Sequence, residues 1–280
     1  MSLGRQARRS VIALLVAVFG SATALLAQSI MVQRWGRWGA PIRMATEDSF
    51  DGRFNFCRGM YSSTRGFRGG GSWATDYPAA DHNFMVRFSE LTMAPVSREP
   101  SGDPNHLVVR LTDDALFRCP FVVMWEVASL VFTEQDAVRL REYLLKGGFL
   151  WVDDFWGSYA WDHWAVEIAK VLPPGEFPIV DIPTSHPIFH AQFSLDAVPQ
   201  IPSISFWRGT GGTSERGPDS AVATLRGIHD RDGRLMVVMT HNTDIADSWE
   251  REGEDPAYFY KFSPDGYALA INIVLYAMTH

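Results

Sequence analysis

The chain has 280 residues, 46% of them hydrophobic, with ten tryptophans and a formal net charge of −7. That composition is ample for a packed core and excludes a disordered chain. It also argues against a general nucleic-acid binder, because phosphate recognition needs concentrated Lys and Arg and no basic stripe occurs beyond the N-terminus.

Taken in order, the first segment reads as an export signal. Arg5, Arg8 and Arg9 form a positive n-region, Val11 to Gly20 an apolar h-region, and Ala22-Thr23-Ala24 a small-x-small cleavage pattern. Residues 1–24 are therefore expected to be a signal peptide and the mature domain periplasmic or extracellular. The alternative is an uncleaved membrane anchor over residues 11–27, a stretch marginal for the roughly 20 residues that a spanning helix needs. Membrane contact is expected only in that case. Residues 25–52 read as an N-terminal arm and 53–280 as one α/β domain.

Phe54 to Tyr61 alternates enough to form a first strand. The Gly-rich loop from Arg65 to Ser72 matches neither GxGxxG nor GxxxxGK[ST], so it reads as a loop rather than a phosphate cradle. Asp81 is expected to cap a helix with Phe84, Met85, Phe88 and Leu91 on its inner face. His106 to Leu111 and Pro120 to Trp125 read as the next two strands. Thr133 with Asp136 forms an approximate capping box for a helix lined by Ala137, Leu140 and Leu144, which Gly147 ends. Cys57 and Cys119 are the two cysteines, too few for a disulfide framework and without CxxC zinc spacing. Two unpaired buried thiols are the expectation, and a disulfide between them the alternative.

The run Phe149-Leu150-Trp151-Val152 is uniformly apolar, as in a parallel strand buried on both faces, and it stops on Asp153-Asp154. Ligands of open α/β sheets bind outside the carboxyl ends of the strands, so these acids fall where chemistry usually sits, as general base or as ligands for a hard cation. A helix over Trp161 to Leu172 and a fifth strand over Ile179 to Ile182 follow, which puts His186 at the same rim as a proton shuttle or metal ligand. Residues 185–217 read as a β-rich insertion. Leu235 to Met239 is a last strand, followed by Asn242, Asp244, Asp247 and Glu250 in an oxygen-rich loop that is not an EF-hand. Tyr267 to Met278 reads as a buried helix. Trp73, Trp156, Trp161 and Trp249, near expected loops, are candidates for stacking on a sugar ring.

Phe56-Cys57-Arg58, Trp73-Ala74-Thr75-Asp76-Tyr77-Pro78, Leu140-Arg141-Glu142-Tyr143-Leu144, Asp153-Asp154-Phe155, His186-Pro187-Ile188-Phe189, Asn242-Thr243-Asp244, Trp249-Glu250 and Asn272 together resemble domain of unknown function family 4159, over roughly residues 53 to 280. The resemblance implies a doubly wound, mostly parallel, flavodoxin-like sheet, similar to class I glutamine amidotransferases and their trehalose-utilisation-like branch. It implies no activity. Arg58, Trp73, Asp76, Asn242, Asp244, Trp249 and Glu250 from those segments, with Trp156 beside them, form the candidate ligand-binding set, and Asp153, Asp154 and His186 the candidate catalytic set. True amidotransferases place a cysteine on the turn after a central strand. Here that turn is expected to hold Asp153, Asp154 and Phe155, so a cysteine triad is not expected. Two readings stay open: a binding module for a carbohydrate, cell-envelope ligand or membrane-associated partner, and a carboxylate- and His-dependent hydrolase or isomerase of sugar-like substrates, with or without a metal ion. The sequence names no cofactor.

Overall fold

The computed structural model describes residues 41–64 and 72–280. The expected signal segment, residues 25–40 of the arm and residues 65–71 of the Gly-rich loop lie outside the described residues. The architecture belongs to a compact unit, Arg43–His280. That unit starts ahead of residue 53, because Val108 N donates to Arg43 O (2.8 Å) and Ala45 N to Val108 O (2.9 Å), adding backbone pairing beside the sheet.

Nine strands are present among the described residues: β1 (Phe56–Met60), β2 (Ser62–Ser63), β3 (His106–Arg110), β4 (Phe121–Trp125), β5 (Leu130–Val131), β6 (Phe149–Asp153), β7 (Ile179–Asp181), β8 (Thr224–His229) and β9 (Leu235–His241). Seven of them form the central sheet in the order β3-β1-β4-β6-β9-β8-β7, while β2 and β5 pair separately. β3, β1, β4, β6 and β9 run parallel, β8 is antiparallel to β9, and β7 antiparallel to β8. The expected α/β class holds, with a mostly parallel sheet and two antiparallel pairings at one edge.

The apolar run of β6 packs as a two-faced strand should. Phe149 and Trp151 join one core and Leu150 and Val152 the other, and β4 divides in the same way, Phe121, Val123 and Trp125 against Val122 and Met124. Helices α1 (Ala79–Leu91) and α6 (Pro256–Thr279) cover the first face, and α2 (Glu134–Leu145) and α3 (Gly157–Val171) the second. Thr133 and Asp136 form the expected capping box on α2. Its end is a tight turn: Gly147 has φ +106°, and a Cβ on Gly148 would meet the Tyr143 ring at 2.4 Å. Among the described residues, no helix is long and apolar enough to cross a membrane.

Four sequence expectations are corrected. Cys57 and Cys119 are joined in a disulfide; β1 lies between β3 and β4, and Cys57 pairs in register with Val122, which brings Cys119, two residues ahead of β4, within reach of it. Asp81 does not cap α1; it lies inside the first turn, fully buried against Arg58. Leu91, at the last turn of α1, is 47% exposed rather than packed, since the helix stops there on Thr92, whose N–H and hydroxyl both bond Phe88 O. Residues 185–217 contain no strand. Ser203 caps a short helix, α4 (Ile204–Thr210), and Asn272 of α6 holds the remainder, accepting from Gln192 N and Phe193 N (both 2.9 Å) and donating to Phe193 O.

Candidate carboxylate site

The chain passes from β1 to β3 on one side and then returns to place β4 on the other side of β1. Such a reversal opens a crevice at the carboxyl ends of the strands. The segments leaving β1, β4, β6 and β9 carry Asp76, Glu126, Asp154 and Asn242, and these are the four described non-glycine residues with positive φ (61°, 54°, 56° and 64°). Left-handed backbone is unfavourable outside glycine and collects at functional sites.

The two neighbouring acids of β6 have different roles. Asp153 is fully buried. It accepts from the Thr240 hydroxyl, from Ile245 N (2.8 Å) and from Ala246 N (3.3 Å). Burial lifts its carboxyl to about 7, although these donors and the Asp154 N–H pull the other way. Its bonds fasten the loop after β9 to the central strand, so it is an anchor rather than a ligand-facing acid. Asp154 occupies the left-handed position of the strand-to-helix turn, with Oδ1 accepting from Trp156 Nε1 at 3.2 Å.

Around Asp154 the loops converge. One carboxylate oxygen from each of Asp76, Asp244 and Asp247 lies within 4.8 Å of the other two. Asp244 Oδ1 also receives Asp247 N (3.0 Å), which shapes the one-turn helix α5 (Asp247–Glu250). Burial raises the carboxyls of Asp154, Asp244, Asp247 and Glu250. Their neighbours add to it: Asp244, Glu126 and Asp76 act on Asp154, and Asp76, Glu250 and Asp154 on Asp247. Asp76 is pushed up to about 8 by burial, then by Glu250, with Arg58 opposing. Its Oδ2 is sealed from solvent and has no hydrogen-bond partner. Carboxylates gathered this closely in a low dielectric require protons or a cation between them.

Arg58 cannot supply that charge. It is fully buried, bonded through Nε to both oxygens of Asp81 (3.0 and 3.1 Å), and its guanidinium carbon lies 3.7 Å from the Trp125 ring centroid. The sequence places it in the candidate ligand-binding set; the structure holds it in the interior against Asp81. Trp249 is likewise core, fully buried and stacked on Tyr267 at 5.2 Å. Asn242 is a clamp: its Oδ1 accepts from Gly157 N (2.8 Å) and its Nδ2 donates to Val222 O (2.9 Å). Trp73 is half-buried, with its ring 5.9 Å from Tyr77. Trp156, 8% exposed, reaches the site through the bond from its Nε1 to Asp154 Oδ1. Glu250 is half-buried at the edge of the cluster.

His186 is not brought to the acids. Its Nδ1 accepts from Ile188 N, its ring faces Tyr276 near the end of α6 at 5.3 Å, and its titratable neighbours are His229 and His280. His229 pairs with Leu235 at the start of β9, a strand's length from His241 at its carboxyl end. The segment after β7 therefore runs back along the sheet, and the carboxylate–histidine pair expected from the sequence does not form.

The first two amides of α3 are already taken. Gly157 N is taken by Asn242, and Ser158 N by Asp219 (2.9 Å). Neither cysteine is at the turn. The family described as Domain of unknown function (DUF4159) matches residues 61–278. No curated protein matches the chain.

Proposed function

Since the chain belongs to the DUF4159 family, whose description carries no activity, we propose that it is an exported binding module. Its carboxylate site holds a divalent cation and, through that cation, an uncharged hydroxyl-rich ligand such as a cell-envelope carbohydrate. The observation that carries the reading is the convergence of Asp76, Asp244 and Asp247 oxygens within 4.8 Å of one another. Calcium takes six to eight oxygens at about 2.4 Å, so ligand oxygens on opposite sides of one ion lie about 4.8 Å apart. The buried, unpaired Oδ2 of Asp76 suits a cation as its partner.

The electrostatics favour an uncharged ligand. Even with a divalent cation bound, the surrounding carboxylates leave the pit negative, and a phosphate or carboxylate group would find the first two α3 amides already occupied. Hydroxyl pairs can complete the cation's coordination and donate to Asp154 and Glu250. Export is supported by the N-terminal charge and hydropathy pattern and by the Cys57–Cys119 disulfide, which persists in oxidising compartments. The order of the five parallel strands, second-first-third-fourth-fifth in chain sequence, is that of flavodoxin-like folds and supports the amidotransferase-like reading with an aspartate at the nucleophile's turn.

One observation favours a second reading. Asp154 stands on the turn that carries the nucleophile in α/β hydrolases, at φ 56°, where a carboxylate with a raised pKa beside a bound cation could act as general base toward water. His186 has no part in it.

Titration calorimetry and thermal unfolding with CaCl2, MgCl2 and MnCl2 test the proposal. A cation present at 100 times its Kd stabilises by about 2.7 kcal/mol. Asp247→Asn should lose that response. Weak extracellular calcium sites have Kd values of about 1 mM, so an unchanged melting temperature at roughly 10 mM of each cation would overturn the reading.

A further inference from the structure

We propose that Arg58 is the positioning residue for Asp76: it holds the turn that presents this carboxylate to the cation site, an assignment that rests on the cation reading above. Three strands of observation meet at its guanidinium. Nη1 donates to Trp73 O (3.1 Å) and Thr75 O (3.0 Å), carbonyls three positions and one position ahead of Asp76. Nε and Nη2 are held by Asp81 of α1. The Trp125 ring covers the guanidinium face, and Trp125 is the residue before Glu126.

This arrangement explains a charged residue in the middle of β1, fully buried in a strand that would otherwise be apolar. Asp81 balances the charge, while the two N–H groups of Nη1 are spent on the turn. A planar guanidinium reaches both carbonyls and the carboxylate at once, and a lysine ammonium cannot. The turn's own bonds are all short-range: Thr75 N to Ser72 O, Tyr77 N to Ala74 O, Ala80 N to Asp76 O, Ser72 N to Thr75 Oγ1 and Ala74 N to Ser72 Oγ, so none of them ties it to the sheet. Asp76 must nevertheless remain left-handed at φ 61° to aim its carboxylate at Asp244 and Asp247. Arg58 supplies the fixed point beneath it.

Two variants test the assignment. Arg58→Lys keeps a cation opposite Asp81 but loses the fork. The double variant Arg58→Met with Asp81→Leu removes both charges, so no unpaired charge stays in the core. Two readings are taken on the purified protein: calcium affinity by calorimetry, and amide exchange of Thr75 and Tyr77 in calcium-free buffer by NMR. Both variants should bind calcium roughly 10- to 100-fold more weakly, the usual effect of losing a group that orients a metal ligand. Exchange at Thr75 and Tyr77 should speed up by about tenfold or more while β4 and β6 amides stay protected. Lower thermal stability with wild-type calcium affinity and wild-type protection of the turn would mark Arg58 as structural only and overturn the proposal. The exchange measurement needs no cation, so a wild-type protein that fails to bind calcium would remove the cation reading while leaving Arg58's hold on the turn separately decided.

Discussion

Replacing Asp153 separates the two neighbouring acids of β6 most sharply. Its carboxylate accepts from Thr240 Oγ1, Ile245 N and Ala246 N, all in the interior. In Asp153→Ala the Thr240 hydroxyl can turn wholly to Val152 O, 3.2 Å away, but the two amides are left without an acceptor. An orphaned buried donor costs about 1–3 kcal/mol, so the variant should lose about 4 kcal/mol. For a domain of this size that lowers Tm by roughly 8–16 °C. Asp153→Asn should be much milder, about 1 kcal/mol, because its amide oxygen can still accept both N–H groups while its nitrogen faces Thr240. Urea unfolding at pH 8, above the value of about 7 for this group, measures both. If Asp153→Ala were as stable as the parent, the anchor assignment and the distinction between Asp153 and Asp154 would fall together.

Much of this was legible in the sequence because it depends on local pattern. The apolar run of β6, its glycine entry and the Thr133–Asp136 cap all report on neighbours a few residues away, and each was found where expected. The acids at the end of β6 were also visible. Which of them faces the site was not, since that depends on a left-handed residue at Asp154 and on the N–H groups of Ile245 and Ala246, some 90 positions along the chain. Glu126 was missed although the rule that singled out Asp153 and Asp154 applies to it equally: it is the acid directly after the strand ending at Trp125. The cysteine pairing is invisible without the strand order, because 62 positions separate the two residues. His186 was misplaced for a related reason. A strand end was read as a rim position, but the following turn carries the chain back toward the other end of the sheet. Trp249 looked like a loop aromatic because the single turn of α5 that buries it is too short to leave a periodic signal.

Three further outcomes are expected. Reducing the Cys57–Cys119 disulfide, which closes a separation of 62 residues, should cost about 4 kcal/mol on the chain-entropy estimate, read as a drop in urea midpoint with dithiothreitol; equal midpoints would argue that it is not formed in solution. His106 is almost fully buried, both ring nitrogens lack a hydrogen-bond partner, and burial lowers its pKa to about 4. The folded state favours the neutral ring, so its contribution is intact above the unfolded value of about 6.5 and is lost as pH falls from there to about 4, by about 3 kcal/mol in all; His106→Phe should flatten the stability profile over that window, and parallel profiles would refute it. The last concerns Asp154, whose carboxyl is raised by burial and by Asp244, Glu126 and Asp76. Asp154→Asn removes one repelling charge and keeps an oxygen for Trp156 Nε1, so the cation-free protein should be level or more stable by about 1 kcal/mol. The same change takes a negative charge from beside the Asp76, Asp244 and Asp247 oxygens, which should weaken calcium binding by roughly tenfold. Stability and affinity thus move in opposite directions for a site residue and together for an anchor. An Asp154→Asn protein that melts well below the parent and binds calcium as tightly would place this acid with Asp153 and leave the rim without its central carboxylate.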